Sequence, residues 1–174
     1  MTKAPIPITI TKLEMRARPT HVRPQLPHSP DHVRAMLMKL DTPPVHFYRY
    51  LYDAVGSGHV WVDRKRLSDQ ELLHEIRGPN VEIWVLYVGG APAGYFEVDA
   101  RGSEVAELKY FGLVPEFQGR GLGKWLMAEA IKACWVREPK KVIVNTLRST
   151  APPHCRSIRR WASFRSDENI RFWS

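Results

Sequence analysis

The sequence predicts a mixed α/β domain built around one sheet. Runs of branched and aromatic residues at 81–88, 92–98 and 105–114 follow one another with only short turns between them, which is typical of an antiparallel meander. A glycine-rich helix start comes next, followed by a buried-looking run at 141–146. Because a strand, a helix and a second strand in that order form a parallel crossover, we expect the fourth run to lie parallel to the third or near it.

Length and composition are those of one soluble domain. The chain has 174 residues, 44% of them apolar and 25% charged, and no apolar run approaches the ~20 residues of a membrane span. Residues 1–12 lack the apolar core of a signal peptide, so we expect a cytoplasmic protein that does not contact a membrane. Cys134 and Cys155 have neither the density of a disulfide scaffold nor CxxC spacing, which favours two reduced thiols.

The net charge of +8 raises the question of nucleic-acid binding. From Leu147 to Ser174 six arginines stand against two acidic residues, a net charge of +4, so half of the excess lies in this C-terminal segment. The rest is spread over a body that contains no nucleic-acid-binding motif. We therefore favour a solvated surface with an acidic small-molecule ligand over a nucleic-acid partner.

Local signals predict three elements in the first half of the chain. Residues Ile8–Met15 alternate as a strand, while Asp31 is a candidate N-cap for a helix that runs through Leu40. Residues 46–54 are predicted to form a helix rich in aromatic side chains. Those side chains either line a substrate pocket or, as we favour, pack in the core, because aromatic residues mostly bury area.

Two further helices have clear starts. Ser68 is a predicted N-cap, and Glu71 completes a capping box for a helix through Ile76. The second helix opens at Gly121 and is predicted to run to about Val136, because apolar residues recur at helical spacing.

The segment Gln118–Gly123, Gln-Gly-Arg-Gly-Leu-Gly, stands where this second helix begins. The first backbone N–H groups of a helix lack partners within it, and the helix dipole is positive there, so glycines without side chains leave room for a phosphate. A Walker loop would need glycine where Gln118 stands and serine or threonine where Trp125 stands, and a dinucleotide fingerprint would need a different last spacing. Both of these alternatives are excluded.

Together, the meander, this motif, the amphipathic helix and the following strand resemble the GNAT superfamily of acetyl-CoA-dependent N-acetyltransferases. Gln118–Gly123 fits that family's Q/R-x-x-G-x-G/A signature, and the resemblance covers roughly Val81 to Thr146. It implies a GNAT-like acyl-CoA N-acyltransferase fold with a central, mostly antiparallel sheet and flanking helices. Its parallel strand pair would splay apart, so that the pantetheine arm of acetyl-CoA inserts between the two strands.

The resemblance implies acetyl-CoA as the acyl donor and no metal, and the seven histidines show no metal-ligand spacing. The implied cofactor-binding residues are Phe111, Gly112, Leu113, Val114, Gln118, Gly119, Arg120, Gly121, Leu122, Gly123 and Asn145. Arg120 either adds charge at the pyrophosphate or is a solvated loop arginine. Leu122 is most simply a core residue.

Glu107 is the candidate catalytic base, because it resembles the carboxylates that some family members use to accept the amine proton. The alternative is that Glu107 and Lys109, two apart on one strand, form an exposed charged face. Glu97 is a weaker candidate.

The function implied is N-acetyl transfer from acetyl-CoA to a primary amine of a small molecule or a peptide, with a homodimer left open. The alternative is a non-catalytic acyl-CoA-binding module or an inactive, truncated acetyltransferase. The tail is the reason for keeping this alternative, because the family's L-Y-x-x-x-G-F helix, whose tyrosine often acts as general acid, is missing after residue 146. We therefore divide the chain into a GNAT-like domain at 1–146, with its motif-bearing core at 81–146, and an atypical basic tail at 147–174.

Under a shift of reading frame by two bases, Thr150 to Phe164 can be recoded as D-R-P-T-A-L-P-L-Y-Q-K-M-G-F-V, which contains the missing motif. We hypothesise that a frameshift, natural or in the sequence record, replaced the C-terminus. If the written tail is genuine, we expect the strand at 141–146 to lose its covering strands, with poor stability and weak activity as the result.

Overall fold

The computed structural model describes residues 8–20, 26, 34–57, 61–149 and 170–173. Within them the chain forms seven strands, three α-helices and two single-turn 3₁₀ helices, at Arg64–Arg66 and Pro115–Phe117. In chain order the strands and α-helices are β1 (Ile8–Met15), β2 (Ala35–Lys39), α1 (Val45–Gly56), α2 (Asp69–Ile76), β3 (Val81–Val88), β4 (Ala91–Asp99), β5 (Val105–Leu113), α3 (Leu122–Cys134), β6 (Lys141–Ser149) and β7 (Ile170–Trp173). No helix in these ranges is long and apolar enough to cross a membrane.

The strands form one sheet in the order β2-β3-β4-β5-β6-β1-β7. All neighbours are antiparallel except β5 and β6, which α3 connects as a crossover. The mixed α/β fold with one parallel pair is therefore confirmed, as are the strand at Ile8–Met15 and the hairpin that turns at Gly89 and Gly90.

The two faces of the sheet carry separate hydrophobic clusters. The α3-side core contains Leu122, Leu126 and Ile131 of α3 packed on the sheet. The α1-side core contains residues of α1 and α2, among them Leu51 and Leu72. Helices therefore pack on both faces of the sheet.

The aromatic helix contributes mainly to the core, as the favoured interpretation predicts. Tyr48 and Tyr52 are fully buried, whereas Tyr50 is half exposed. The predicted capping box is also present, since the Ser68 hydroxyl accepts from the backbone N–H of Glu71 and the Glu71 side chain accepts from the backbone N–H of Ser68.

The predicted helix from Asp31 through Leu40 is wrong, because its described part, from residue 34, contains strand β2. Met36 and Met38 are exposed while Ala35 and Leu37 pack against the α3-side core, so burial alternates with the period of a strand. β2 pairs with β3 along its whole length. Hydrogen bonding to an otherwise open sheet edge outweighs the weak N-cap signal at Asp31.

The expected exposure of the strand at 141–146 is wrong as well. β6 lies between β5 and β1, and all eight residues of β1 pair with it, from Ile8 opposite Ser149 to Met15 opposite Val142. The N-terminal strand therefore covers the edge that we expected a C-terminal strand to cover. β7 in turn pairs with β1, while the recoded stretch from Thr150 to Phe164 lies outside the described residues, so the frameshift and the boundary at residue 146 stay predictions.

Gly112 allows α1 to approach β5 closely. A Cβ atom placed on Gly112 would lie far inside contact distance of Cγ1 of Val55. We expect Gly112→Ala to destabilise the protein by about 1–3 kcal/mol through overpacking, measured as the midpoint of urea unfolding.

Gly102→Ala is the matched control, because the nearest atom to its added Cβ is 3.6 Å away, and we expect a change within about 0.5 kcal/mol. Combining Gly112→Ala with Val55→Ala should recover part of the stability that Gly112→Ala loses, because alanine at position 55 lacks the Cγ1 atom that the added Cβ would meet. Equal unfolding midpoints for the two glycine variants would contradict this packing.

Candidate active site

A cleft begins where the parallel pair β5 and β6 comes apart. The two strands pair from Val105 opposite Lys141 to Leu108 opposite Val144 and no further. Both strands continue, β5 to Leu113 and β6 to Ser149. Within the described ranges, the end of β5 therefore has a strand partner on its β4 side only.

A β-bulge coincides with this parting. Leu108 lies opposite Val98 and Tyr110 opposite Glu97, so Lys109 is an extra residue on β5 without a partner on β4. Ala106 and Leu108 belong to the α3-side core, whereas Tyr110 belongs to the α1-side core, which shows that the alternation changes face at Lys109. Because a bulge bends its strand and increases the local twist, it turns the rest of β5 away from β6.

The antiparallel register fixes which backbone groups of β5 point into the cleft. The N–H of Val114 donates to the carbonyl of Ala93 at 2.9 Å, so this pair is hydrogen-bonded across β4 and β5. Such pairs alternate with non-bonded pairs, and Gly112 is therefore bonded to β4 while Phe111 and Leu113 direct their N–H and C=O groups to the other side. Of the four residues Phe111–Val114 predicted to hold the cofactor, Phe111 and Leu113 offer backbone groups to the cleft, whereas Gly112 and Val114 are bonded to β4.

The glycine motif lies at the far end of the cleft. Gly119 and Gly121 have φ of 78° and 79°, a left-handed conformation that favours glycine, and Gly121 is the N-cap residue of α3. Gly123 lies in the first turn of α3, and a Cβ there would be 3.6 Å from Cδ1 of Leu113, an ordinary contact. The protein's own packing therefore does not require a glycine at 123, which leaves that position free to serve a ligand.

The motif is attached to the end of β5. The side-chain amide of Gln118 donates to the carbonyl of Leu113 at 3.1 Å, and Leu122 is buried in the α3-side core. The guanidinium of Arg120 lies 5.2 Å from the ring centroid of Phe117, on an exposed loop. The structure thus joins the loop, the start of α3 and the end of β5 into one wall.

Glu107 lies at the opposite end of the cleft, just before the bulge. Its neighbours along the strand pack in the α3-side core, so its side chain points to the α1 side. Oε1 accepts a hydrogen bond from Nδ2 of Asn145 at 2.8 Å, and Oε2 lies 3.3 Å from Nζ of Lys109. The side chain is 22% exposed and hence open to solvent, so the structure brings together the predicted base and a predicted cofactor residue of β6.

Glu107 and the glycine motif bound an elongated site. Leu113 lies six positions after Glu107 along β5, a span of roughly 20 Å at the rise of a β-strand. A ligand that contacts both ends has to be long and narrow.

The weaker candidate, Glu97, is completely buried beneath α1 and α2. Its two oxygens accept from the hydroxyl of Tyr48 at 2.5 Å and from Nη2 of Arg64 at 2.7 Å. Burial raises the pKa of Glu97, and the charge of Arg64 together with the hydrogen bond from Tyr48 opposes that rise. With no exposed surface and both oxygens occupied, Glu97 is inaccessible to an amine.

Arg64 is the residue that sequence reasoning missed. It lies in the run Asp63-Arg64-Lys65-Arg66, which by itself indicates a solvated charged turn. In the structure its side chain is only 6% exposed, and no local sequence signal distinguishes it from its exposed neighbours. Among the described residues there is also no group of three or more His, Cys, Asp or Glu side chains arranged to hold a metal ion.

Comparison with known protein families identifies this arrangement. Residues 48–161, well over half of the chain, match the Acetyltransferase (GNAT) family. The chain belongs to the GNAT acetyltransferase family. The matched range of this GNAT protein contains the glycine motif, the parallel pair and the crossover helix, and no curated protein matches its sequence.

Solved structures agree with this fold. A GCN5-related N-acetyltransferase from Sphaerobacter thermophilus has a TM-score of 0.60 at 13% identity, with 97% of this chain and 49% of that chain covered. An aminoglycoside N-acetyltransferase in complex with CoA has a TM-score of 0.56 at 15% identity, with 83% and 94% covered. A functionally unknown conserved protein from Staphylococcus epidermidis has a TM-score of 0.51 at 15% identity, with 95% and 59% covered. At these identities the likeness shows the fold alone, and this GNAT protein spans about half the length of the first structure and about three fifths of the third.

The contact between Glu107 and Asn145 is testable without any ligand. We expect a double-mutant cycle of Glu107→Ala and Asn145→Ala to give a coupling of about 0.5–1.5 kcal/mol, the contribution of one hydrogen bond, in urea unfolding.

A cycle of Glu107→Ala with Lys132→Ala serves as control, because Lys132 bonds Glu129 on α3 instead. It should give a coupling close to zero. Two cycles with the same coupling would show that Asn145 does not hold Glu107.

Proposed function

We propose that this GNAT protein transfers the acetyl group of acetyl-CoA to a primary amine. The observation that carries the proposal is the cleft itself, in which a glycine-opened helix start and a partly solvated carboxylate lie at the two ends of a strand edge that has lost its partner.

The donor would lie along β5. The backbone N–H groups at the start of α3, from Gly119 to Gly123, would hold the pyrophosphate, because the helix dipole and the unpaired N–H groups both favour an anion there. The pantetheine arm would run past Phe111 and Leu113 and bond to the backbone groups of Phe111 and the N–H of Leu113 as an added strand does, while the carbonyl of Leu113 accepts from Gln118. Asn145 would face the acyl end of the donor, since it lies on β6 directly after the last pair of the β5–β6 ladder.

The reaction would begin when Glu107 removes a proton from the acceptor ammonium, directly or through one water molecule, which leaves an uncharged amine. The amine nitrogen then attacks the thioester carbonyl, a C–N bond forms, and the carbonyl electrons move to oxygen. The backbone N–H of Phe111 would stabilise that oxyanion, because it points into the cleft and is the nearer of the two such groups to Glu107, whereas the N–H of Gly112 is bonded to β4. The nitrogen of the intermediate then gives up its extra proton to water. Collapse re-forms the carbonyl, breaks the C–S bond and releases the thiolate of CoA, which takes a proton from solvent.

The acceptor remains to be identified by experiment. One of the solved structures is an aminoglycoside N-acetyltransferase, so aminoglycosides belong in the test panel beside polyamines, amino acids and peptides with free N-termini. Release of free thiol from acetyl-CoA, followed with a thiol reagent, measures transfer for each amine. Intact mass of the product should show the addition of one acetyl group.

Removing the carboxylate at Glu107 should stop transfer without weakening donor binding. We expect Glu107→Gln to lower kcat by about 10²–10⁴-fold, the usual contribution of a general base, while KM for acetyl-CoA stays within about twofold.

Glu104→Gln is the matched control, because Glu104 lies on the turn before β5 and its exposed carboxylate pairs with Lys140. It should leave kcat unchanged. Full turnover by Glu107→Gln would eliminate Glu107 as the base.

A non-catalytic acyl-CoA-binding module is the second candidate, favoured by the absence of the family's tyrosine motif from the written tail. Both functions predict that acetyl-CoA raises the midpoint of thermal unfolding. At an acetyl-CoA concentration of 100 times Kd, the free energy of unfolding should increase by about 2.7 kcal/mol. They differ in turnover, since a binding module would release no thiol with any amine. Intact mass of the protein and resequencing of its gene test the frameshift separately.

A further inference from the structure

A chain of alternating charges runs from the core beneath α1 to the surface. Glu97 bonds Arg64, Arg64 bonds Glu75 at 3.0 Å, and Glu75 bonds Arg101 at 3.0 Å. Arg101 also pairs with Asp99, the last residue of β4, and the series of ion pairs ends there. Only the inner pair is fully removed from water, since Glu97 is 0% and Arg64 6% exposed, whereas the Arg101 side chain is 34% exposed.

The inner pair is costly to bury, which calls for an explanation. Moving two charges out of water costs several kcal/mol per ion, and a pair of apolar side chains in the same place is often as stable or more so. Burial opposes the charge on Arg64, but the carboxylates of Glu97 and Glu75 outweigh this, and the pKa of Arg64 is raised. Stability alone therefore does not account for an arginine at this position.

The position of Arg64 relative to the bulge does account for it. Glu97 and Tyr110 are register partners on β4 and β5, and they form the first pair after the unpaired Lys109. Arg64 bonds the side chain of Glu97, and its guanidinium lies 5.5 Å from the ring centroid of Tyr110. One side chain from the connection between α1 and α2 thus contacts both strands at the point where β5 turns away from β6.

The segment that carries Arg64 is itself fixed. Arg49 of α1 donates to the carbonyls of Arg64 and Leu67, at 3.4 Å and 2.8 Å. Its guanidinium also pairs with Asp69 of α2 at 2.8 Å. Arg64 is therefore supported by both helices that cover this face of the sheet.

We propose that Arg64 is a positioning residue that clamps the bulge at Lys109 and thereby sets the direction of the cleft edge of β5, a role that rests on the proposed acetyl transfer. The clamp holds Tyr110 against β4. In this way it fixes the position of the backbone of Phe111 and Leu113, which follow the bulge, relative to Glu107, which precedes it. Small misplacements of reacting groups lower turnover strongly, whereas binding of a long donor along the whole cleft is less sensitive.

Arg64→Lys tests the clamp. Lysine keeps a positive charge for Glu97, so the fold should survive, but it lacks the planar fork that bonds Glu97 and Glu75 together while lying over a ring. The matched control is Arg101→Lys, the same exchange at the solvent-exposed end of the same chain.

The first readout is amide hydrogen exchange of the protein without ligand. In Arg64→Lys we expect exchange about tenfold faster at Tyr110 and Gly112, which are bonded to β4, and unchanged at Ile83 and Val85 of β3. Arg101→Lys should match the wild type. Unchanged exchange at Tyr110 and Gly112, or equal acceleration throughout the sheet, would overturn the clamp, because the second result describes a purely structural ion pair.

The second readout is turnover with acetyl-CoA and the best amine of the panel. Arg64→Lys should lower kcat by about tenfold or more with KM for acetyl-CoA within about twofold, and Arg101→Lys should leave both unchanged. Locally faster exchange with wild-type kcat would overturn the positioning role. Absence of turnover in the wild type would instead refute the proposed function, and the exchange experiment would still decide whether Arg64 clamps the bulge.

Discussion

The architecture of the site depends on one interruption in backbone pairing. β5 is bonded to β4 along most of its length, but its ladder with β6 stops after Leu108. At the next residue, Lys109, β5 gains one residue relative to β4 and changes the face that its side chains present. Where the two parallel strands part, the backbone groups of Phe111 and the N–H of Leu113 face away from β4 and have no partner strand on β6, and the proposed donor site is built on them.

Everything around this interruption limits how far it spreads. β1 pairs with β6 along its whole length, so the strand that leaves β5 is held by a neighbour on its other side. α3 packs on one face and α1 on the other, where Gly112 lets Val55 approach the end of β5 closely. Packed helices on both faces and the pairing of β1 with β6 therefore bound the place where β5 and β6 part.

The polar groups divide into two sets with different physical roles. One set lies at the end of the cleft opposite the glycine motif and consists of Glu107, Asn145 and Lys109. Water still reaches the carboxylate of Glu107 there, so proton transfer is feasible. Glu97, Arg64 and Tyr48 lie in the core on the α1 side, and burial raises the pKa of the Tyr48 hydroxyl well above its usual value. The exposed set is suited to chemistry, and the buried set to holding the strands.

The sequence by itself determined the elements whose signals are local. The meander, the capping box at Ser68 and the glycine-opened helix follow from turn residues, from capping chemistry and from apolar periodicity within a few positions, and the family signature follows from six consecutive residues. Only the tertiary structure decided β2, the cover of β6 by β1, the bulge at Lys109 and the burial of Arg64. Each of these depends on a partner far away in the chain. Ala35–Lys39 forms a strand because it pairs with the edge strand β3, and Arg64 is buried because it bonds the buried carboxylate of Glu97, 33 residues away. Pairing and desolvation between distant residues leave no trace in local periodicity. The motif at Gln118–Gly123 could therefore be predicted from the sequence, and the buried position of Arg64 could not.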